Sequence, residues 1–344
     1  GLDFMITLLA CFKAKIIAVP VFPPDPRKLH KDIHHFVSIY NSSGAQFALT
    51  HNNYNFAKKI SGLKNIFSSN GGSWPKVTWI VVDDTIKASK KAVSKKNTSG
   101  INFNYESTHN LNDIGDEIAF LQYTSGSTSE PKGVMISHNN LSHNEKIIGT
   151  SLKTDKDTVC VSWLPQYHDM GLIGSYLGTV YCGGEGYFLS PLSFLRDPLL
   201  WLKTLSKYQA THTQAPSFAY ALVSRKLREY NNRSKEPLVL DLSKLEHSIN
   251  AAEPVDPVVL RDFREQFAVY GLKPETVVPT YGLAEHTVFV CSGGKQILNI
   301  SKKALEKDEV VVLSQTSSPK ADNRDSDCRS VVGCGYPRDS ENVD

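Results

Sequence analysis

Tyr123-Thr124-Ser125-Gly126-Ser127-Thr128-Ser129-Glu130-Pro131-Lys132-Gly133-Val134 is the stretch on which the reading of this chain turns. It follows an apolar run, Ile118 to Tyr123, with the composition of a strand. It carries hydroxyls at 124, 125, 127, 128 and 129, glycines at 126 and 133, and one lysine. That set suits phosphate oxygens: backbone N–H groups and hydroxyls donate, and Lys132 adds a positive charge. A Walker loop is excluded, because it needs G-x-x-x-x-G-K-[ST]. Counted from Gly126, Pro131 stands where the second glycine belongs and Gly133 where the metal-binding hydroxyl belongs. The competing reading is a plain hydrophilic turn, and the fixed order S-G-S-T, then P-K-G, weighs against it.

On either side the chain alternates between two hydrophobic periods. Ile16 to Val21 is a β-branched run closed by Pro23-Pro24, and Ile33, Phe36, Val37 and Tyr40 recur at helical spacing up to Gly44. Phe47 to Thr50 and Val77 to Val82 have strand composition, and Val159 to Leu164 predicts a strand before Pro165. Asp256 followed by Pro257 opens a helix in which Val259, Phe263 and Phe267 recur at i, i+4 and i+8, with Gly271 ending it. Thr276 to Val278 predicts one more strand. Strands alternating with helices of roughly 10–15 residues predict an α/β fold, its sheets mostly parallel and flanked by helices. Two stretches differ. Residues 84–113, rich in Lys, Ser, Asn and Thr, predict a surface connection. Residues 295–330 predict an inserted or mobile segment with a short strand at Val310 to Leu313.

Composition narrows the function classes. A length of 344 residues allows about two domains of the usual 100–200 residues, or one large one. With 40% hydrophobic and 21% charged residues the chain is neither disordered nor fibrous. Lys and Arg number 38 against 35 Asp and Glu, a balance that excludes nucleic acid or an anionic membrane surface as the main partner. No apolar run approaches the ~18 residues of a membrane span. The cysteines at 11, 160, 182, 291, 328 and 334 form neither a CxxC pair nor a zinc spacing, which predicts a reducing, cytoplasmic setting. Gly1 in place of Met, and a last stretch without a stop signal, lead to the expectation of a segment cut at both ends.

Three further blocks carry chemistry. In Thr280-Tyr281-Gly282-Leu283-Ala284-Glu285-His286-Thr287, an aromatic face is available for stacking, Gly282 permits close backbone approach, and Glu285 offers a hard carboxylate oxygen. A strand end with a solvated Glu is the plain alternative. Asn250-Ala251-Ala252-Glu253-Pro254-Val255 closes another strand-like run. Leu164-Pro165-Gln166-Tyr167-His168-Asp169-Met170-Gly171-Leu172-Ile173-Gly174 joins a His-Asp pair to an apolar, glycine-spaced helix, which fits a hydrophobic substrate wall and core packing equally well.

Taken together these blocks resemble the adenylate-forming superfamily of acyl-CoA synthetases, peptide-synthetase adenylation domains and luciferases. The Ser/Thr/Gly loop resembles its signature, and Tyr281 to Glu285 resembles its Y-G-x-x-E. The A-A-E-P-V and H-D-M-G-L-I-G blocks, with Ala18-Val19-Pro20-Val21-Phe22-Pro23-Pro24-Asp25-Pro26 and Val331-Val332-Gly333-Cys334-Gly335-Tyr336-Pro337, resemble fatty acyl-AMP ligases. One position departs: Ala251 stands where that family has glycine, a strained choice if the backbone there needs φ > 0.

The resemblance implies that residues 1–344 are a large N-terminal AMP-binding domain, truncated at both ends and lacking the C-terminal domain. Residues 295–330 would be a family-specific insertion. It implies ATP and Mg²⁺ as cofactors and ATP-dependent conversion of a fatty acid to an acyl-adenylate, with pyrophosphate released. The acyl group would pass to an acyl carrier protein or polyketide synthase module. Thr124, Ser125, Gly126, Ser127, Thr128 and Lys132 would hold the phosphates. Ala251, Ala252, Glu253, Thr280, Tyr281 and Gly282 would border the nucleotide, and Glu285 would hold Mg²⁺. His168, Asp169, Met170 and Gly171 would border the acyl substrate, with His168 beside its carboxylate. Low activity is expected of residues 1–344 alone. Two alternatives remain open: an acyl-CoA ligase, and a non-catalytic acyl or nucleotide-binding module.

Overall fold

In the computed structural model, which describes residues 1–25, 29–65, 74–83, 85–87, 115–124, 130–234, 236–316 and 327–337, the two ends of the signature stretch pair as the mouth of a hairpin. The chain divides into two compact units, Gly1–Asn140 and Leu141–Asp344. In the first, β1 (Phe47–Thr50) pairs parallel with β2 (Thr78–Val81), while β3 (Ile118–Thr124) pairs antiparallel with β4 (Lys132–Ser137). Thr124 stands opposite Lys132, so the loop leaves and returns at one point. Tyr123 stands opposite Gly133, and its ring lies where a Cβ on that glycine would come within 2.8 Å of Cζ. The Tyr123 hydroxyl donates to Ser42 Oγ at 3.0 Å. The glycine of P-K-G therefore makes room for an aromatic ring that braces the hairpin. Phe120 is fully buried beneath it.

The run Ile16 to Val21 does not form the strand its composition suggests. Ala18 alone bridges to Phe120, and Ile16 and Ile17 are exposed. Prolines at 20, 23 and 24 remove the donors that a ladder needs. The helix Leu29–Ser43 ends at Gly44 with φ +65°, as its periodicity predicts. Of the expected surface connection at 84–113, residue 84 and residues 88–113 lie outside the described residues.

The second unit holds a seven-stranded sheet made of β5 (Val159–Ser162), β6 (Glu185–Phe188), β7 (His212–Ala215), β8 (His247–Asn250), β9 (Val277–Tyr281), β10 (Cys291–Gly293) and β14 (Gly335–Pro337). Five strands run parallel in the order β6-β5-β7-β8-β9, and β10 and β14 add on antiparallel. Numbered within the parallel set, that order is 2-1-3-4-5. The winding direction reverses between β5 and β7, which makes a topological switch point there. The remaining strands, β11 (Ile297–Ser301), β12 (Val312–Thr316) and β13 (Cys328–Val332), form a separate antiparallel sheet in the order β12-β11-β13. The segment 295–330 thus holds β11 and β12 and most of β13 rather than one strand, and the strand expected at Val310 to Leu313 starts at Val312; residues 317–326 lie outside the described residues.

Central strand β7, His-Thr-Gln-Ala, is buried at every position yet mostly polar. It can lie there because its side chains are paired. Trp201 Nε1 donates to Thr213 Oγ1 at 3.0 Å, Thr213 Oγ1 donates to the Val161 carbonyl at 2.6 Å, and His212 Nε2 lies 2.8 Å from the Leu152 carbonyl oxygen. Burial lowers the pKa of His212, so the ring is neutral in place and donates from this nitrogen.

Asp256 starts the helix Pro257–Phe267, accepting from Val258 N at 2.8 Å and Val259 N at 3.3 Å. The apolar stripe differs by one residue from the expected one: Leu260, not Val259, is buried with Phe263 and Phe267. A 3₁₀ turn, Ala268–Tyr270, then closes the helix at Gly271 with φ +87°. Strand β5 stops at Ser162, two residues short of the expected Leu164. Asp256→Ala removes the cap and is expected to lower unfolding stability by about 1 kcal/mol, read as a lower denaturant midpoint at unchanged slope.

Candidate functional site

Parallel strands deliver the loops that follow them to one edge of the sheet, and ligands in such folds bind at that carboxyl edge beside the switch point. The loops after β5, β8 and β9 carry the motifs read from the sequence. After β5, the Trp163 ring stacks on Phe194 at 3.9 Å between centroids and fixes the start of the loop. The loop ends at His168, which is half-exposed. His168 Nδ1 lies 2.7 Å from Asp169 Oδ1, and this hydrogen bond raises the imidazole pKa above its usual 6.5, against the smaller opposing effect of burial. Asp169 Oδ1 also accepts from the Met170 N–H at 2.6 Å, so the carboxylate is held on both sides.

The helix that follows is irregular: α-helical at Asp169–Gly171, π-helical over Leu172–Leu177, and α-helical again at Gly178–Cys182. A π segment disturbs the i→i−4 ladder and recurs at functional sites. Here Gln214 of β7 occupies the disturbance. Its amide donates to the Met170 carbonyl at 2.8 Å and also to Ser175 Oγ. Gly171 lies against the Pro165 carbonyl and Gly174 against the Gln214 side chain, neither with room for a Cβ. Met170 and Gly171 are buried, as are Leu172 and Ile173. The glycine spacing is thus explained by close packing, and His168 is the exposed member of this block, with Asp169 half-buried beside it. On the neighbouring helix His138–Leu152, burial pushes the Glu145 carboxyl up to about 8, which leaves it neutral at pH 7 against Gly178.

After β8, Ala251 is buried and Ala252 adopts φ +69°. The left-handed residue is therefore Ala252, one position after the departure from the glycine pattern. It costs an L-residue about 1 kcal/mol. Glu253 is turned toward the protein: its Oε1 accepts from Phe218 N at 2.6 Å, satisfying a free N–H in the first turn of the helix Ser217–Arg233.

After β9, Thr280 is buried with its hydroxyl on the Val278 carbonyl at 3.2 Å. The Tyr281 ring is half-exposed, which leaves a face for stacking. At Gly282 a Cβ would strike the Val288 carbonyl, so the backbone that approaches this glycine is the chain's own. Glu285 is exposed on the 3₁₀ turn Ala284–His286. Among the described residues no group of three or more metal-ligating side chains occurs. A lone exposed carboxylate nevertheless fits Mg²⁺, which is bound through one or two carboxylates plus substrate phosphates.

In the other unit, Thr124 and exposed Lys132 face each other across the hairpin mouth. Ser125, Gly126, Ser127 and Thr128 lie outside the described residues. Sequence reasoning did not single out Gln214. Its one visible signal is a short polar run, His212 to Gln214, directly before Ala215-Pro216.

Comparison with known proteins agrees with this fold. The profile of the AMP-binding enzyme family matches residues 1–323. The chain is 33% identical over 341 residues to a medium-chain fatty acid–[acyl-carrier-protein] ligase of Moorena producens, covering 98% of this chain and 52% of that protein. It is 33% identical over 365 residues to a ligase of the same description from Teredinibacter turnerae, covering 99% and 53%. The crystal structure of a fatty acyl-adenylate ligase from L. pneumophila, in complex with acyl adenylate and pyrophosphate, superposes with a TM-score of 0.74 at 32% identity, covering 98% of this chain and 52% of that one. The chain spans about half the length of the curated relatives it matches.

The His168–Asp169 contact gives a direct test. In a histidine-labelled NMR titration His168 is expected to titrate above 6.5, and Asp169→Asn is expected to bring it down, since the principal cause of the shift is removed.

Proposed function

The chain belongs to the AMP-binding enzyme family, and on that premise we propose that it serves the ATP-dependent activation of a fatty acid to an acyl-adenylate, with release of pyrophosphate. The observation that carries this reading is the convergence of His168, the Ala251–Glu253 turn and the Tyr281–Glu285 turn at one carboxyl edge of a parallel sheet, beside its switch point. The ligases of M. producens and T. turnerae, aligned over nearly the whole of this chain, support an acyl carrier protein as acceptor. The 344 residues are taken as an AMP-binding N-terminal domain, with 295–330 as an insertion in it. The six free cysteines support a reducing, cytoplasmic setting. No helix among the described residues is long and apolar enough to cross a membrane.

The chemistry asked of the protein is positioning and charge balance more than covalent work. A carboxylate oxygen attacks the α-phosphorus of ATP in line, the bond to the bridging oxygen breaks, and pyrophosphate departs with the electron pair. Lys132, with Thr124 and the hydroxyls and N–H groups of Ser125, Gly126, Ser127 and Thr128, holds the phosphates and balances charge growing on the leaving group. Tyr281 and Gly282, with the backbone of Ala251 and Ala252, border the adenine. Glu253 and Thr280 support these turns, since each has its side chain engaged within the protein. Glu285 would hold Mg²⁺, which supplies charge neutralisation to the phosphates when bound. His168 stands by the incoming carboxylate. Its raised pKa keeps more imidazolium at neutral pH, a cation suited to hold that carboxylate in line.

Pyrophosphate release from ATP and a medium-chain fatty acid tests the reaction, with the products resolved as acyl-AMP, acyl-carrier protein and acyl-CoA. Acyl-AMP passing to carrier protein is expected. A product made only with CoA would move the chain to the CoA ligases, and ATP binding without any pyrophosphate would make it a binding module. Lys132→Ala is expected to lower pyrophosphate release at least tenfold, consistent with the loss of one charge-assisted contact of ~1.5–3 kcal/mol.

A further inference from the structure

The loop that carries Glu285 contains a strained turn, and one buried side chain far away in sequence holds both sides of it. Thr287 has φ +70° and ψ −64°, and the Val288 N–H donates to the His286 carbonyl at 2.8 Å. This is the rare hand of the γ-turn, disfavoured for any L-residue and most of all for a β-branched one. Thr287 is buried, so solvent does not relieve it. Asn144, on the helix His138–Leu152, is 5% exposed. Its Oδ1 accepts from Phe289 N at 3.0 Å, and its Nδ2 donates to the Phe289 carbonyl at 2.9 Å and to the His286 carbonyl at 3.3 Å. The paired bonds to Phe289 mimic a strand partner and settle which end of the amide is oxygen. Gly282, against the Val288 carbonyl, closes the same loop from its other end.

Strain of this kind persists only where the surroundings over-determine it, and it gathers at sites where a side chain must be aimed. The turn centred on Thr287 begins at His286, the residue directly after Glu285. A relaxed turn there would redirect the Ala284–His286 segment and with it the carboxylate. We infer that Asn144 is a positioning residue: together with the γ-turn at Thr287 it sets where the Glu285 carboxylate meets the Mg²⁺ that accompanies ATP. This rests on the reading of Glu285 as the metal ligand.

The experiment measures Mn²⁺, as a paramagnetic stand-in for Mg²⁺, binding to the protein with ATP by water-proton relaxation. The Mg²⁺ concentration for half-maximal pyrophosphate release is measured alongside. Asn144→Ala is expected to weaken Mn²⁺ binding at least fivefold and to raise the Mg²⁺ requirement by a similar factor, while ATP binding in EDTA stays within twofold. Thr287→Gly, which removes the strain and keeps Asn144, is expected to leave thermal stability equal or higher yet weaken Mn²⁺ binding at least threefold. That variant decides the matter if Asn144→Ala does not fold. Glu285→Gln separates the two layers. If it leaves Mn²⁺ binding unchanged, the reading of Glu285 as ligand fails. If it abolishes binding while Asn144→Ala and Thr287→Gly leave the metal dissociation constant within twofold of the unmodified protein, the positioning role alone is overturned.

Discussion

The second unit depends on one constraint, the parallel pairing of β6, β5, β7, β8 and β9. Parallel strands all end on the same side, so the segments that follow them must leave from one edge. Trp163 to His168, Ala251 to Glu253, and Gly282 to Val290 are such segments. Nothing local to any of them requires the others, and the sheet alone makes them neighbours along one edge. The register does so closely: Asn250 stands beside Ala215 on one flank and Pro279 on the other, so the turns after β7, β8 and β9 start nearly level.

Glycine and strained alanine or threonine positions then shape each turn. Gly171, Gly174 and Gly282 mark places where the chain touches a carbonyl or an amide at a distance no Cβ permits. Ala252 and Thr287 hold left-handed backbone without being glycine. Strain at two positions on the edge where the motifs meet fits a site aimed by its surroundings rather than by local preference.

Much of this was legible from residue order. The Ser/Thr/Gly loop, the Tyr-Gly–Glu block and the His-Asp block are local patterns whose chemistry survives without knowledge of their neighbours. The capped helix at Asp256 and the closure at Gly44 were legible for the same reason, because a cap is a contact between residues a few positions apart. Less legible were features whose partners are remote. Strand β7 has no apolar pattern, since its burial is made possible by Trp201, Val161, Leu152 and Met170 rather than by its own composition. The stripe on the helix Pro257–Phe267 shifted to Leu260 because packing, not spacing alone, chooses among nearby apolar residues. The run at Ile16 to Val21 had strand composition, but Pro20 within it and Pro23-Pro24 just after it remove the donors a ladder needs.

By itself the sequence determined the class of fold and the chemical vocabulary of the site: hydroxyls and a lysine in one loop, an aromatic and a carboxylate in another, an imidazole beside a carboxylate in a third. Those depend on side-chain types and short spacings, which the chain carries without folding. The tertiary structure alone decided which motif residues face outward and which are buried or tied to another element. It turned Glu253 to a helix N-terminus and buried Met170 and Gly171, while leaving Tyr281 and Glu285 exposed. It also decided that Asn144, 145 residues before Phe289, would clamp the loop of Glu285. The physical reason is that hydrogen-bond satisfaction and steric room are properties of surroundings, and surroundings exist only once remote segments have come together.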